Sequence, residues 1–472
     1  MIVMKKIYRI FVLLIMMSLT MASKAQNDGI ALTLLPHLSY NNYYNPAIPV
    51  ESKFVFGVGV SNVGVSLFNS SVRYNNIFGF DANGLPNSID ANKFINSLDE
   101  HDNLINANLS MDVLRLGLRL GRLFIDFDCR LKFNAEAHYS RDFLGFFVNG
   151  NGNYLGHDNP ADFSIGLDAN LLTEVSVGLQ YDVTKKLTVG VRPKVLLGVV
   201  NVSVNDDQTK IYTDPNTYAM TADVNINMQA SSILKLDNIN TIGDFGTLFE
   251  EVNFNNMFDF KQNIGYGIDF GASYTFNKHI GIAAGVYDLG FIKWDKSKEK
   301  HNHKDNVVVN DALIDDFEDL LEMKLDFNEM YLGIVEDIWD NDSLYDGPGY
   351  TTSLKTRIML QGYFELMPML RITAISQMCY IRNEYRPSFT LAYSGSFFRL
   401  LNVTASYTRS EYSGNTIGAG VSLNFGPLNV YVLTDNVMIF SKLGKTPMEM
   451  ATSYGSANVR LGLVFTLGRV RR

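Results

Sequence analysis

Residues 122–138 read RLFIDFDCRLKFNAEAH, and their alternation decides the fold. Leu123, Ile125, Phe127, Cys129, Leu131, Phe133, Ala135 and Ala137 fall on one face. Asp126, Asp128, Arg130, Lys132, Asn134, Glu136 and His138 fall on the other. A period of two puts successive side chains on opposite sides of a β-strand. Strands of soluble proteins run about 5–6 residues, so a strand this long is unusual there. A strand crossing a bilayer needs about 9–11 residues, with apolar side chains toward lipid and polar ones toward a lumen.

The pattern recurs along the chain. Residues 264–276 set Ile264, Tyr266, Ile268, Phe270, Ala272, Tyr274 and Phe276 against Gly265, Gly267, Asp269, Gly271, Ser273 and Thr275. Residues 401–409, 417–425 and 458–467 alternate in the same way, and further candidates lie near 53–67, 107–120, 172–182, 187–203, 219–230, 280–294, 354–366, 369–382, 387–395 and 427–437. Lipid supplies no hydrogen-bond partner, so an open sheet edge in a bilayer is untenable and the sheet must close. About fifteen candidates and the even counts of bacterial barrels predict an all-β, transmembrane antiparallel β-barrel of about 14 strands, within 12–16. Thr184-Lys185-Lys186, Asn277-Lys278 and Phe425-Gly426-Pro427 read as tight turns, and 69–102, 139–160, 205–217, 231–262, 295–353 and 438–456 as long loops. Within one loop, Leu313, Ile314, Phe317, Leu320 and Leu321 recur at helical spacing among acidic residues. That predicts a short amphipathic helix over 311–324, either an ordinary solvated loop helix or one capping the barrel mouth or lying inside it.

The chain starts as an exported protein would. Lys5, Lys6 and Arg9 precede an apolar run from Ile10 to Leu19, and Ser23-Lys24-Ala25 suits cleavage before Gln26. The run is shorter than the roughly 20 residues a spanning helix needs. The expected layout is a signal peptide over 1–25, an N-terminal segment over 26–52 and a barrel over 53–469. Cleavage removes four of the 40 basic residues and no acid, leaving 36 against 49 and a net charge of −13. Such a balance argues against nucleic acid as a partner, because phosphate binding needs clustered cations. Cys129 lies on the apolar register of its strand and Cys379 on the other register of its own, so both are expected to be unpaired.

Short boxes stand at either end of the mature chain. Leu35-Pro36-His37 and Asn41-Asn42-Tyr43-Tyr44-Asn45-Pro46-Ala47 lie at the start. Gly426-Pro427-Leu428-Asn429-Val430-Tyr431, Thr434-Asp435-Asn436 and a closing strand over 458–468 lie at the end. Through these boxes the chain resembles an uncharacterised family of Bacteroidetes outer-membrane barrels, similar in broad architecture to the FadL-like long-chain fatty-acid transporters. The resemblance implies a bacterial outer-membrane location, with outer-membrane lipids around the barrel, and no established activity. Many barrels end on an aromatic residue; here Arg469-Val470-Arg471-Arg472 follow the strand, and Phe465 is the nearest aromatic.

Three features could carry chemistry. Asn45-Pro46-Ala47 reads as a turn opening the barrel, since proline fixes φ and removes a donor. The resemblance adds a second reading, a hatch or plug folded into the lumen. Asp126, Asp128, Arg130, Lys132, Glu136 and His138 should face the lumen, where mixed charges pair and fill space. No nucleophile–base pairing accompanies them, so no enzyme is expected. His301-Asn302-His303 has too few companions for a zinc site, and Asp340-Asn341-Asp342-Ser343-Leu344 has leucine where a calcium loop needs oxygen. No cofactor is expected. Two functions fit: passage of a small hydrophobic or amphiphilic ligand, or an accessory barrel serving a secretion or surface-assembly complex.

Overall fold

The computed structural model describes residues 29–469, apart from 60, 71–77, 81–85, 90, 102, 207, 234–251, 253–255, 259–260, 310–343, 368, 382–383, 411–413 and 438–454. The chain forms a closed, antiparallel, transmembrane β-barrel with 14 strand positions. β1 has two pieces, Ser52–Val58 and Val63–Asn69. Next come β2 (Asn103–Leu120), β3 (Leu123–Tyr139), β4 (Ile165–Asp182) and β5 (Leu187–Asp206). β6 joins Met220–Ser232 to Ile264–Asn277, and β7 joins Ile280–Trp294 to Ser297–Val309. β8 (Tyr350–Ser353 and Arg357–Met367), β9 (Leu370–Ile381), β10 (Glu384–Phe397) and β11 (Leu401–Ser410) follow. β12 (Gly414–Phe425), β13 (Leu428–Thr434) and β14 (Ser456–Arg469) complete the wall. β14 pairs with both pieces of β1, with Phe56 opposite Phe465 and Val65 opposite Val459, and this pairing closes the cylinder.

Alternation produces the wall as the physics of lipid requires. Leu116, Leu118, Val177, Leu179, Ile268, Phe270, Ile282, Leu463 and Leu467 are exposed apolar side chains on its outer face. So broad an apolar surface is stable only against hydrocarbon. Among the described residues no helix is long and apolar enough to cross a membrane. Asp126, Asp128, Arg130, Arg192 and Asp269 lie on the opposite register, buried inside.

The sequence expectations need three adjustments. Candidate 219–230 does not add a wall position; Met220–Ser232 and Ile264–Asn277 share one, which turns about fifteen candidates into 14 positions. Candidate 53–67 is broken, since Val58 faces Leu114 and Val63 faces Met111, so four residues on β1 oppose two on β2. The loop expected over 295–353 contains strand Ser297–Val309, paired with Met220–Ala230. Its run Lys298-Glu299-Lys300-His301 shows no apolar register, because both faces there are polar. Two helices, α1 (Ala91–Asn96) and α2 (Arg141–Asn149), lie in segments expected as loops. Phe94, Ile95, Phe143 and Phe146 join Val224, Ile226 and Met228 in a separate apolar cluster. Cys129 and Cys379 are free thiols.

Candidate functional site

Residues 30–50 lie inside the barrel. Ile30, Leu32, Leu35, Leu38, Tyr40, Tyr43, Tyr44 and Val50 form one buried cluster with Tyr287, Met359, Ile375 and Tyr431 of the wall. A 3-10 turn, Ile30–Thr33, starts this segment. The Asp435 carboxylate accepts the backbone N–H of Gly29 at 2.6 Å and of Ala31 at 3.0 Å, satisfying donors that a helical turn leaves open. Asn458 holds Asp435 in place by accepting its backbone N–H.

Asn45, Pro46 and Ala47 form a turn pressed against the wall. Asn45 Oδ1 accepts the Ala47 N–H at 2.9 Å, and Asn45 Nδ2 donates to the Ala284 carbonyl at 3.0 Å. Gln180 Nε2 donates to the Pro46 and Ile48 carbonyls, and Ser273 Oγ donates to that of Ala47. The wall opposite lacks side chains at three positions. Gln180, Gly190, Gly271 and Gly285 form one cross-strand row over β4–β7. A β-carbon on Gly190 would lie 2.4 Å from the Pro46 backbone, and one on Gly271 2.1 Å from Asn45 Oδ1. Three paired glycines thus form a socket for the Asn-Pro-Ala turn.

The charged register builds one buried network across β2–β7. Arg115 pairs with Asp128 at 3.0 Å, and Arg130 with Asp112 at 2.6 Å and Glu174 at 3.2 Å. Lys194 meets Asp269 at 2.8 Å and Asp288 at 2.6 Å, and Arg192 meets Asp269 at 3.4 Å. Opposite charges face each other directly across strands at Arg115–Asp128 and at Asp112–Arg130–Glu174. Removing ions from water costs several kcal/mol each, so such groups persist only when paired and hydrogen-bonded. The network also grips the N-terminal segment. Arg115 donates to the Ser39 carbonyl and the Asn42 side chain, and Arg192 to the carbonyls of Tyr43 and Asn42. Arg130 lies over the Tyr43 ring at 4.1 Å, and Arg115 over Tyr40 at 4.4 Å.

Of the six lumen candidates, Asp126, Asp128 and Arg130 lie in this sealed zone. Lys132 reaches Glu174 at 2.6 Å and Asp288 at 3.2 Å, and Glu136 takes Lys355 at 2.7 Å. His138 continues the same register against Gly166. The helix candidate with Leu313, Phe317, Leu320 and Leu321, and the Asp340–Leu344 stretch up to 343, lie outside the described residues. His301 and His303 sit on a strand, His301 bonding to Asn227. No cluster of metal-ligating side chains occurs among the described residues.

Above the tyrosines lies a cavity of about 140 Å³. Tyr43, Tyr44 and Tyr287 line it together with Lys132, Glu174, Asp288, Lys355 and Arg357. One flank is apolar: Leu172, Leu196, Ile292 and Trp294 form a buried cluster against Leu354 and Tyr350. This flank adjoins an irregular zone of wall. The chain leaves β6 after Ser232, opposite Val200, and rejoins it at Ile264, opposite Leu197. Asp288 on β7 holds φ at 58°, a left-handed conformation rare for a non-glycine residue. The partners Arg115, Glu174, Arg192, Lys194 and Asp288 and the apolar flank escaped sequence reasoning. Their one signal is a polar register on each strand; which charge meets which depends on strand stagger.

Among solved structures the chain is similar to a Pseudomonas aeruginosa FadL homologue, at 10% identity, 95% of this chain, 100% of that chain and TM-score 0.43. It is also similar to the Pseudomonas putida toluene transporter TodX, at 9% identity, 94% and 98% coverage and TM-score 0.40. A third is the Ralstonia pickettii toluene transporter TbuX, at 10% identity, 95% and 97% coverage and TM-score 0.38. No curated protein matches the sequence. Residues 46–435, from the proline of the Asn-Pro-Ala turn to the aspartate that holds Gly29, match the family of unknown function DUF5723, and the chain belongs to that family.

Proposed function

We propose that the protein is a bacterial outer-membrane barrel that passes small amphiphilic molecules, with residues 29–51 as a hatch across the lumen. The observation that carries this reading is the two-sided cavity. Leu172, Leu196, Ile292, Trp294 and Leu354 offer hydrocarbon contact on one flank. Lys132, Glu174, Asp288 and Lys355 offer polar contact on the other. Small-molecule sites combine these features: an apolar concavity with a few placed polar groups. The hatch forms the floor through Tyr43 and Tyr44, so onward movement needs this segment to shift or the irregular wall beside Trp294 to part. The accompanying enzyme-free reading rests on the same geometry, in which charges pair with one another around the hatch.

The test is uptake of a fluorescent amphiphile by cells with and without the protein, and by a tethered variant. Ala47→Cys with Ser273→Cys joins hatch to wall where Ser273 Oγ lies 2.8 Å from the Ala47 carbonyl. Uptake should require the protein, fall on oxidation of the pair and return on reduction. Uptake identical with and without the protein would sink the reading.

A further inference from the structure

Above the charge network the lumen wall carries a row of amides. Asn108, Asn134, Asn170 and Asn201 stand directly opposite one another on β2, β3, β4 and β5. Ser66 of β1 and Ser231 of β6 extend the row at either end. All four asparagines line the cavity. The first two are held in place: Asn134 Nδ2 donates to Asn108 Oδ1, and Lys355 donates to Asn134 Oδ1 at 2.8 Å. Tyr350 OH donates to Asn201 Oδ1 at 2.6 Å. Asn170 is different, since its half-buried amide has no hydrogen-bond partner among the described residues. A half-buried amide keeps two donors and an acceptor for a guest.

The cavity's two lysines, Lys132 and Lys355, are already engaged by carboxylates. Its lining holds the cations Lys132, Lys355, Arg357 and Arg460 and the carboxylates Asp168, Glu174 and Asp288. Glu136, bound to Lys355 at 2.7 Å, brings the two signs level. Lys132 is engaged by both Glu174 and Asp288. An anionic head group beside Lys132 would have to displace Glu174 or Asp288 from it, and would pay its own desolvation. Hydroxyl groups suit the amides, each of which both donates and accepts.

We propose that the asparagine row binds the uncharged, hydroxyl-bearing head group of an amphiphile, with its hydrocarbon tail on Trp294, Ile292, Leu196, Leu172 and Leu354. This assignment rests on the amphiphile-passage reading and specifies its substrate class.

The chain has two tryptophans, so Trp339→Phe leaves Trp294 as the only fluorescent indole. In lipid nanodiscs this protein is titrated with tail-brominated dodecyl maltoside, with equally brominated dodecanoate, and with maltose as competitor. The maltoside should quench Trp294 at concentrations roughly tenfold lower than dodecanoate, and maltose alone should not compete. Asn170→Leu should weaken the maltoside roughly 5- to 10-fold, the scale of one or two lost hydrogen bonds, and leave dodecanoate unchanged. Asn170→Ala serves as a second variant, with both checked for a heat-modifiable folded band. Dodecanoate binding as tightly as the maltoside, or Asn170 variants that leave the maltoside unchanged, would overturn the assignment while the passage reading stands. Maltose competing as well as its alkyl glycoside would overturn the amphiphile class. Quenching by neither amphiphile would overturn assignment and reading together.

Discussion

Asn45 and Gly271 are packed so closely that a β-carbon on Gly271 would lie 2.1 Å from Asn45 Oδ1. The same holds at Gly190, where the obstacle is Pro46 backbone, which cannot swing away. Gly271→Ala and Gly190→Ala should each weaken docking of residues 29–51 by about 1–3 kcal/mol, the usual cost of overpacking. Gly267 is the control on the same strand and face, because its β-carbon would meet nothing nearer than 3.5 Å. Limited proteolysis in nanodiscs reads the result: cleavage within residues 29–51 should rise in the first two variants and not in Gly267→Ala. Equal protection in all three would contradict the socket.

Asp435 links the far end of the chain to its beginning. Its carboxylate is buried and accepts two backbone N–H groups, and hydrogen bonds to a charged group contribute about 1.5–3 kcal/mol. Asp435→Asn keeps the shape but loses the charge and one acceptor oxygen. A loss of about 1–3 kcal/mol is expected. A thiol introduced by Ile30→Cys should then label faster with maleimide than in the Asp435 parent.

How far the sequence disclosed this arrangement depends on the range of each interaction. The register of residues 122–138 is local, and it puts Asp126, Asp128 and Arg130 on one face and Ile125 and Phe127 on the other without help from the rest of the chain. The boxes at Asn45-Pro46-Ala47 and Asp435-Asn436 were visible as boxes. Their common duty was not, because Gly190, Gly271 and Gly285 sit on three strands and look like ordinary strand glycines until the strands pair. The asparagine row was hidden for the same reason: Asn134 and Asn170 become neighbours only through the stagger of β3 against β4. Strand Ser297–Val309 was missed on physical grounds. Both of its faces are polar over the Lys-Glu-Lys-His run, so that stretch carries no period of two.

The buried network and a surface pair should respond differently to loss of a cation. Arg130 is 1% exposed, and Arg130→Met leaves Asp112 and Glu174 buried without it. Breaking one side of a buried pair costs about 3–5 kcal/mol. Lys293, 70% exposed and 3.7 Å from Asp295, is the comparison. Exposed pairs contribute about 0–1 kcal/mol, so Lys293→Met should leave stability nearly unchanged. Thermal loss of the compact band on unheated gels measures both, and the Arg130 variant should melt well below the Lys293 variant. Matching melting points would mean that Asp112 and Glu174 find other compensation.

Acid should loosen the other end of the segment over residues 29–51. Glu51, just before β1, accepts from or pairs with His37 Nδ1 at 2.8 Å. Burial pushes the Glu51 carboxyl up, but His37, with Arg469 and Arg371, outweighs burial and holds it below its ordinary value. A carboxylate with a lowered folded pKa contributes its stability above the unfolded value, about 4.3, and loses it as pH falls through the folded one. Hydrogen exchange over residues 37–51 should therefore be slower in the wild type than in Glu51→Gln from pH 6 down to about 4.3. Below that the difference should shrink as the wild-type carboxylate protonates. Comparing the two proteins at each pH cancels the intrinsic pH dependence of exchange. A difference that stayed constant into strong acid would show that the Glu51 charge does not hold this end of the segment.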